Sequence, residues 1–162
     1  MENLKDVREF HETFGHPVAN KPILIDIDRV GNRIDWIVSE LMELKDAIRA
    51  GDIVEQGDAL VDAQYFLSGT IIECGMADIF PAMFAEVQRS NMSKACNSFE
   101  EAEATIAFHK DLQGDCHYIE KVITDEYNVS RTVYIVIRTG DSKIMKSINY
   151  SPANLSFIKD II

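Results

Sequence analysis

The feature that most constrains this chain is a run of apolar residues between positions 27 and 48. Ile27, Val30, Ile34, Ile37, Leu41, Leu44 and Ile48 recur at alternating spacings of three and four. That period lays one apolar stripe along a helix of about six turns. A stripe of this length needs other helices to cover it, so the chain is predicted to fold as a helical bundle. Asp26 or Asp28 is placed to cap the start, and Gly51 to stop the end. Asp52 and Glu55 then stand three apart, as in a capping box, and open a helix that runs through about Cys74. This helix is apolar on nearly every side, with Ala59, Leu60, Val61, Ala63, Phe66, Leu67, Ile71 and Ile72. Such a helix sits in the middle of a bundle or at a subunit interface.

Shorter helices complete the pattern. Leu4, Val7, Phe10 and Phe14 share one face, and Gly15 and Pro17 close that helix. Another starts near Asp78, takes Pro81 in its first turn and runs to about Ser90. Ser98 and Glu101 form a capping box before a helix over Phe99 to Leu112. The period then changes. Tyr118, Val122 and Ile123 are β-prone, and Val133, Ile135 and Ile137 alternate with Thr132, Tyr134, Val136 and Arg138. With a third strand over Lys143 to Ser147 these predict a small antiparallel meander. A last short helix follows from Pro152 to Ile162. The fold class is mainly α: a helical bundle over 1–112, with a β appendage and terminal helix over 113–162 packed on it as one unit.

Charge narrows the function. The 162 residues hold 16 Lys and Arg against 27 Asp and Glu, a formal net charge of -11. A field of that sign repels nucleic-acid backbones and anionic membranes, so neither is an expected partner. No apolar stretch is long enough to span a bilayer, and the N-terminus has no apolar signal core. The three cysteines, Cys74, Cys96 and Cys116, show no metal-like spacing. Free thiols and a cytoplasmic location are expected.

Position separates the acidic residues. The pairs Glu9/Glu12 and Glu100/Glu103 lie in charge-rich amphipathic helices and read as solvated faces. Glu40 and Glu43 lie beside the apolar seam of the longest helix, stacked one turn apart. Asp58 and Asp62 stand at i,i+4 inside the helix that is apolar all round. No Lys or Arg occurs between Arg49 and Arg89 to neutralise them. A buried carboxylate without a partner costs several kcal/mol, on the order of that for any unpaired ion. Another helix, another subunit or a cation must compensate. Four carboxylates on adjacent helices form a hard-oxygen set that suits Mg²⁺, or Mn²⁺, and not zinc. A competing reading makes Asp58 a second cap and pairs Asp62 with Arg33. Glu55 is either a metal ligand in a literal ExxD with Asp58 or the partner of Asp52 in the capping box.

Cationic and hydrogen-bonding groups cluster in EVQRSNMSKA (Glu86 to Ala95), with Arg89, Ser90, Asn91, Ser93 and Lys94. Lys143 and Lys146, read as a strand, fall on opposite faces, so one at most would face a given site. No GxxxxGK[ST] or GxGxxG cradle exists. The four histidines (His11, His16, His109, His117) have no metal-ligand spacing.

VREFHETFGHP, Arg33 seven residues before Glu40, ELMEL, DALVD-x-x-Y and EVQRSNMSK follow one another in order. In this the chain resembles the MazG-like or phosphoribosyl-ATP pyrophosphohydrolase-like group of all-α NTP pyrophosphatases. The likeness covers about residues 7 to 95 and, through SKIMKSINYSPANL, 140 to 158. It implies a homodimer or higher oligomer and a Mg²⁺-dependent attack of water on the α-phosphorus of an NTP or dNTP. The products are the monophosphate and pyrophosphate, in nucleotide-pool house-cleaning. Glu40, Glu43 and Asp62 match the catalytic carboxylates, and with Asp58 they form the implied metal set. Arg33, Asn91, Lys94 and Lys146 match presumed substrate contacts. Ala59 and Ser39 stand where many members have Glu, and Gln88 where His is common. These departures leave open a catalytically weak or idle nucleotide-binding or interaction module. Residues 96 to 139 match nothing in the core pattern.

Overall fold

The computed structural model describes residues 2–162, apart from the side chain at position 111. Five helices and a two-stranded antiparallel sheet are found among them: α1 (Glu2–Phe14), α2 (Ile27–Ala50), α3 (Ile53–Glu73), α4 (Phe80–Met92), α5 (Phe99–Gln113), β1 (Cys116–Thr124) and β2 (Ser130–Arg138). The chain divides into two compact units, Met1–Met83 with Ser156–Ile162, and Phe84–Leu155.

In the first unit α2 and α3 form an antiparallel hairpin joined by Gly51 and Asp52 alone. Gly51 takes the left-handed conformation (φ 71°), and its N–H bonds the carbonyls of Ala47 and Ile48. Only a residue without Cβ adopts this cheaply. The Asp52 carboxylate then caps α3 by accepting from the Val54 and Glu55 N–H groups. Asp26 does the same for α2. Leu4 and Val7 of α1, Ala47 of α2, and Ala59, Ile71 and Ile72 of α3 are the buried apolar residues of this unit. The segment between α1 and α2 is tied to the end of α3 by Ala19 N–H to Ile72 O and Ile23 N–H to Cys74 O.

The long stripe of α2 is only half covered. Val30, Ile37 and Leu44 are half-buried, whereas Ile27, Ile34, Leu41 and Ile48 are exposed. Each set repeats every seven residues, so the stripe resolves into two seams. On α3, Ile53, Val54, Leu60, Val61 and Leu67 are likewise exposed. Of the two places expected for α3, the middle of a bundle is not what one chain provides: these side chains stay exposed, and the bundle covers only part of the helix.

In the second unit α5 lies against both strands of the hairpin. Its core is Cys96, Ala102, Val136 and Met145, flanked by Ile106, Cys116, Tyr118 and Tyr134. The Ser98 hydroxyl accepts from Glu101 N–H, as the capping-box pattern predicts, while the Glu101 carboxylate reaches one residue further back, to Asn97 N–H. The predicted third strand is reduced to one bridge, Ile137 with Ile144. Side chains of α5 pull the chain out of the ladder beyond it: Glu101 accepts from the Ser147 hydroxyl, and Thr105 Oγ1 accepts from Ile148 N–H. The predicted terminal helix shortens to a 3-10 turn over Ser156–Asp160. Before it, contacts to α4 and the turn after it hold the backbone extended: Ser151 N–H to Ser93 Oγ, Pro152 O to Arg89, and Asn154 N–H to Glu86.

Two α3 glycines behave oppositely on substitution. A Cβ on Gly69 would collide with the Arg33 guanidinium and come within 2.7 Å of His11 Nε2, whereas one on Gly57 meets nothing within 4 Å. Gly69→Ala is expected to lower unfolding free energy by about 2 kcal/mol through overpacking. Gly57→Ala is expected to raise it by about 0.5–1 kcal/mol. Urea denaturation of the pair measures both.

Candidate active site

The hairpin brings together an ion cluster that sequence reasoning missed. Glu73, at the last position of α3, has a fully buried side chain. Arg29 grips it with two bonds, Nε to Oε2 at 2.8 Å and Nη2 to Oε1 at 2.6 Å. Arg33 Nη1 stands 3.4 Å from the same Oε1, and His11 Nδ1 3.9 Å. Burial alone would raise the Glu73 carboxyl. The bonds from Arg29, and then the charges of Arg33, Arg29 and His11, outweigh it and hold the group below its ordinary value. His11 shifts down, first from burial. Its Nδ1 bonds the Pro17 carbonyl at 2.9 Å, so the proton sits on Nδ1. The available signal was a lone carboxylate closing the apolar run TIIECG.

Arg33 is 3% exposed and its other donors are spent locally, Nε on Thr70 Oγ1 at 3.2 Å and Nη2 on the Phe66 carbonyl at 2.7 Å. This placement excludes the pairing of Arg33 with Asp62. The flat Arg33 guanidinium lies 5.5 Å from the Trp36 ring centre. Beside it opens a cleft of about 230 Å³ walled by Phe10, His11, His16, Arg33, Trp36, Tyr65 and Phe66. Phe10 stacks on His16 with ring centres 5.7 Å apart and meets Tyr65 edge-on at 5.6 Å. Trp36 and Phe66 lie 5.7 Å apart. The cleft is the right chemistry for a flat heteroaromatic ring.

The carboxylates follow from the same register. Arg33 faces Thr70, and Trp36 faces Phe66 one turn on. A further turn toward Gly51 sets Glu40 opposite Asp62. Glu40 is half-buried, and Glu43, Asp58 and Asp62 are exposed on this chain. Burial and then the charges of Glu43, Asp62 and Asp58 raise the Glu40 carboxyl. Glu40 therefore feels the charge of the other three. Among the described residues no three Asp, Glu, His or Cys side chains converge on one coordination sphere. The donor set still fits a hard divalent cation, since all four groups are carboxylates and their mutual repulsion is what a cation relieves. The Glu55 backbone N–H bonds the Asp52 cap, and Ala59 is buried.

Asn91, Lys94 and Lys146 belong to the second unit. Lys94 Nζ donates to Asn91 Oδ1 at 2.8 Å. Lys146 Nζ lies 4.4 Å from the Tyr150 ring centre. Ser90 Oγ and Tyr150 OH are 3.1 Å apart, and Ser93 Oγ donates to the Ser151 carbonyl. The SNMSK segment and the tail, distant in sequence, thus pack together. Lys143 and Lys146 line one cavity with Lys94. The expectation that they face apart fails because this segment is not a strand.

The model of the phosphoribosyl-ATP pyrophosphohydrolase family, within the MazG-like all-α NTP pyrophosphatase superfamily, matches residues 7–91. No curated protein matches this chain. Pyrophosphohydrolases of that family are in general dependent on a divalent metal. No helix among the described residues is long and apolar enough to cross a membrane.

Removing the buried countercharge tests the ion cluster. Glu73→Gln leaves two arginines facing a neutral amide and is expected to cost about 3–5 kcal/mol. Because the folded carboxyl is held below its ordinary 4.5, its contribution is complete above that value and is lost as pH falls through the folded value. Urea midpoints measured from pH 7 to pH 3 should fall more shallowly in Glu73→Gln than in the native chain.

Proposed function

We propose a substrate and a chemistry for this chain, which belongs to the phosphoribosyl-ATP pyrophosphohydrolase family. Members are hydrolases acting on phosphoanhydride bonds, and this chain is such an enzyme. Our reading is a Mg²⁺-dependent pyrophosphohydrolase that cleaves an NTP or dNTP to the monophosphate and pyrophosphate. The observation that carries it is one register. On α2 the aromatic cleft lies one helical turn from Glu40, whose carboxyl feels the charges of Glu43, Asp62 and Asp58. A nucleotide carries a flat base and a charged chain a few ångströms apart, and this arrangement answers both.

The base enters between Phe10, Tyr65, Trp36 and Phe66, with the Arg33 face alongside. Stacking of that kind is worth about 1–3 kcal/mol per base. Glu40, Glu43, Asp58 and Asp62 are the residues that hold Mg²⁺. Bound there, the ion would neutralise phosphate charge and acidify a water molecule. Water attacks the α-phosphorus, and the bond to the bridging oxygen breaks with release of pyrophosphate. A carboxylate of this set not fully used in holding the ion takes the water's proton, and Glu40, the half-buried one of the four, is assigned that role. Asn91, Lys94 and Lys146 are assigned to the phosphates by their chemistry. The uncovered seam of α2 and the exposed Leu60, Val61 and Leu67 of α3 support a homo-oligomer.

A catalytically weak or idle nucleotide-binding member of the same fold is the second reading. Ala59 and Ser39 favour it, since Ala59 is buried and Ser39 donates to the Trp36 carbonyl, so neither supplies a carboxylate. A non-hydrolysable NTP that binds, with no turnover of any nucleotide, would establish it.

A panel of NTPs and dNTPs assayed for pyrophosphate release with and without Mg²⁺ tests the enzyme reading. Glu43→Gln and Asp62→Asn are expected to lower kcat by about 100-fold or more. Retained turnover in either sinks the assignment. Trp36→Ala is expected to raise KM about tenfold or more with a smaller change in kcat. Mg²⁺ should raise the Tm of the native chain and not that of Asp62→Asn.

A further inference from the structure

The β hairpin of the second unit lies outside the residues matched by the family, and its two edges are treated differently. Along β2, Tyr134 is bridged to Cys96 and Ile137 to Ile144. β1 has β2 on one side and, among the described residues, no strand on the other. It runs nine residues without proline, glycine or bulge, in unbroken register with β2. The row of unpaired N–H and C=O groups on such an edge is a template for another strand.

The ladder fixes which groups that edge offers. Cys96 and Tyr134 exchange both of their N–H to O bonds, so the Tyr134 backbone is turned away from β1. Glu120 lies opposite Tyr134 and is therefore turned away from β2. By alternation Cys116, Tyr118, Glu120, Val122 and Thr124 all hold their N–H and C=O groups outward. The bond from Thr139 N–H to Asp115 O, inward at an odd position, agrees. The side chains add an apolar component. Tyr118 packs with the core under α5, so Ile119 and Ile123 point to the other face. There Ile119 stands opposite Ile135, and both Ile119 and Ile144 are exposed.

We propose that β1 is an assembly edge whose occupant is the β1 strand of a second copy, paired antiparallel across a two-fold axis at Ile119. A two-fold contact uses the same patch on both copies, and opposed residues share a face. Centred on Glu120, the pairing overlaps the whole strand but opposes two carboxylates. Centred on Lys121, it opposes two ammonium groups. Like charges directly opposite are destabilising. Centred on Ile119, it overlaps residues 116 to 122 and brings isoleucine to isoleucine on the axis. Tyr118 then stands opposite Glu120, and His117 opposite Lys121. This is the longest register that opposes no two carboxylates and no two ammonium groups. One strand thus carries both halves of a matched contact, and the two hairpins join into one four-stranded sheet. The contact is smaller than the roughly 800 Å² per partner of a standard interface, so it depends on concentration. It is separate from the apolar seams of α2 and α3, and it requires nothing of the chemistry proposed above.

Sedimentation of the full chain over a range of concentrations measures the assembly. Glu120→Pro removes an outward N–H and none from the β1–β2 ladder, so the hairpin keeps its bonds while the edge loses its centre. The dissociation constant of the edge contact is expected to rise at least about tenfold, with a native circular dichroism spectrum. Lys121→Pro, whose N–H faces β2, is expected to lower the Tm of the dilute chain instead. Cysteine substitution reads the register without any proline. On the axis the two copies of position 119 stand about 4.5 Å apart between Cα atoms, within disulfide reach, so Ile119→Cys is expected to cross-link on mild oxidation. The two copies of position 121 lie roughly 13 Å apart or more, so Lys121→Cys is expected not to cross-link. The native chain controls for its own thiols. A mass that Glu120→Pro leaves unchanged at every concentration overturns the proposal. So does cross-linking of Lys121→Cys as readily as Ile119→Cys, or of neither, and the edge then belongs to a strand of a different protein or to none.

Discussion

One buried carboxylate governs the first unit. Glu73 has no access to water, and its charge is met by Arg29 through two bonds and by Arg33 at 3.4 Å. Both arginines stand on α2, one turn apart, and Glu73 on the facing end of α3. A shift of α3 by one residue along its partner would break the bidentate grip and strand an ion in an apolar interior. Apolar packing tolerates such a slip far better than an ion pair does. The cluster therefore fixes register, and register sets Trp36 against Phe66 and Glu40 against Asp62. Gly69 belongs to the same device, since its missing Cβ is the space that the Arg33 guanidinium and His11 occupy.

Helices were legible because their signals are local. The three-and-four period, the Asp52 and Ser98 caps and the Gly51 stop all act within a few residues, and each appears in the structure where expected. The third strand was not legible, because what ends it is a pair of side chains on α5. The terminal helix failed for a related reason: Glu86, Arg89 and Ser93, more than fifty residues upstream, take its backbone groups.

The site was legible to the extent that it lies on one helical face. Glu40 and Glu43 could be read from spacing, and Asp62 from the scarcity of cations around it. Arg33 was found by motif order, but its burial against Glu73 depends on a partner 40 positions away. The aromatic cleft joins α1, α2 and α3 side chains that no single window of sequence contains.

The connection between α2 and α3 has a consequence for how such a chain varies in length. Surface loops usually accept insertions at little cost. This one is two residues long, and both are fully engaged: the Gly51 N–H bonds the end of α2, and the Asp52 carboxylate caps the start of α3. An inserted residue would forfeit one cap and push the first turn of α3 out of line with the ion cluster at its far end. The turn after β1 is built differently, with the Asp125 side chain folding back to accept from the Tyr127 and Val129 N–H groups. Additions to the chain are expected to collect there, in the part that faces no register constraint, while the helical hairpin keeps its length.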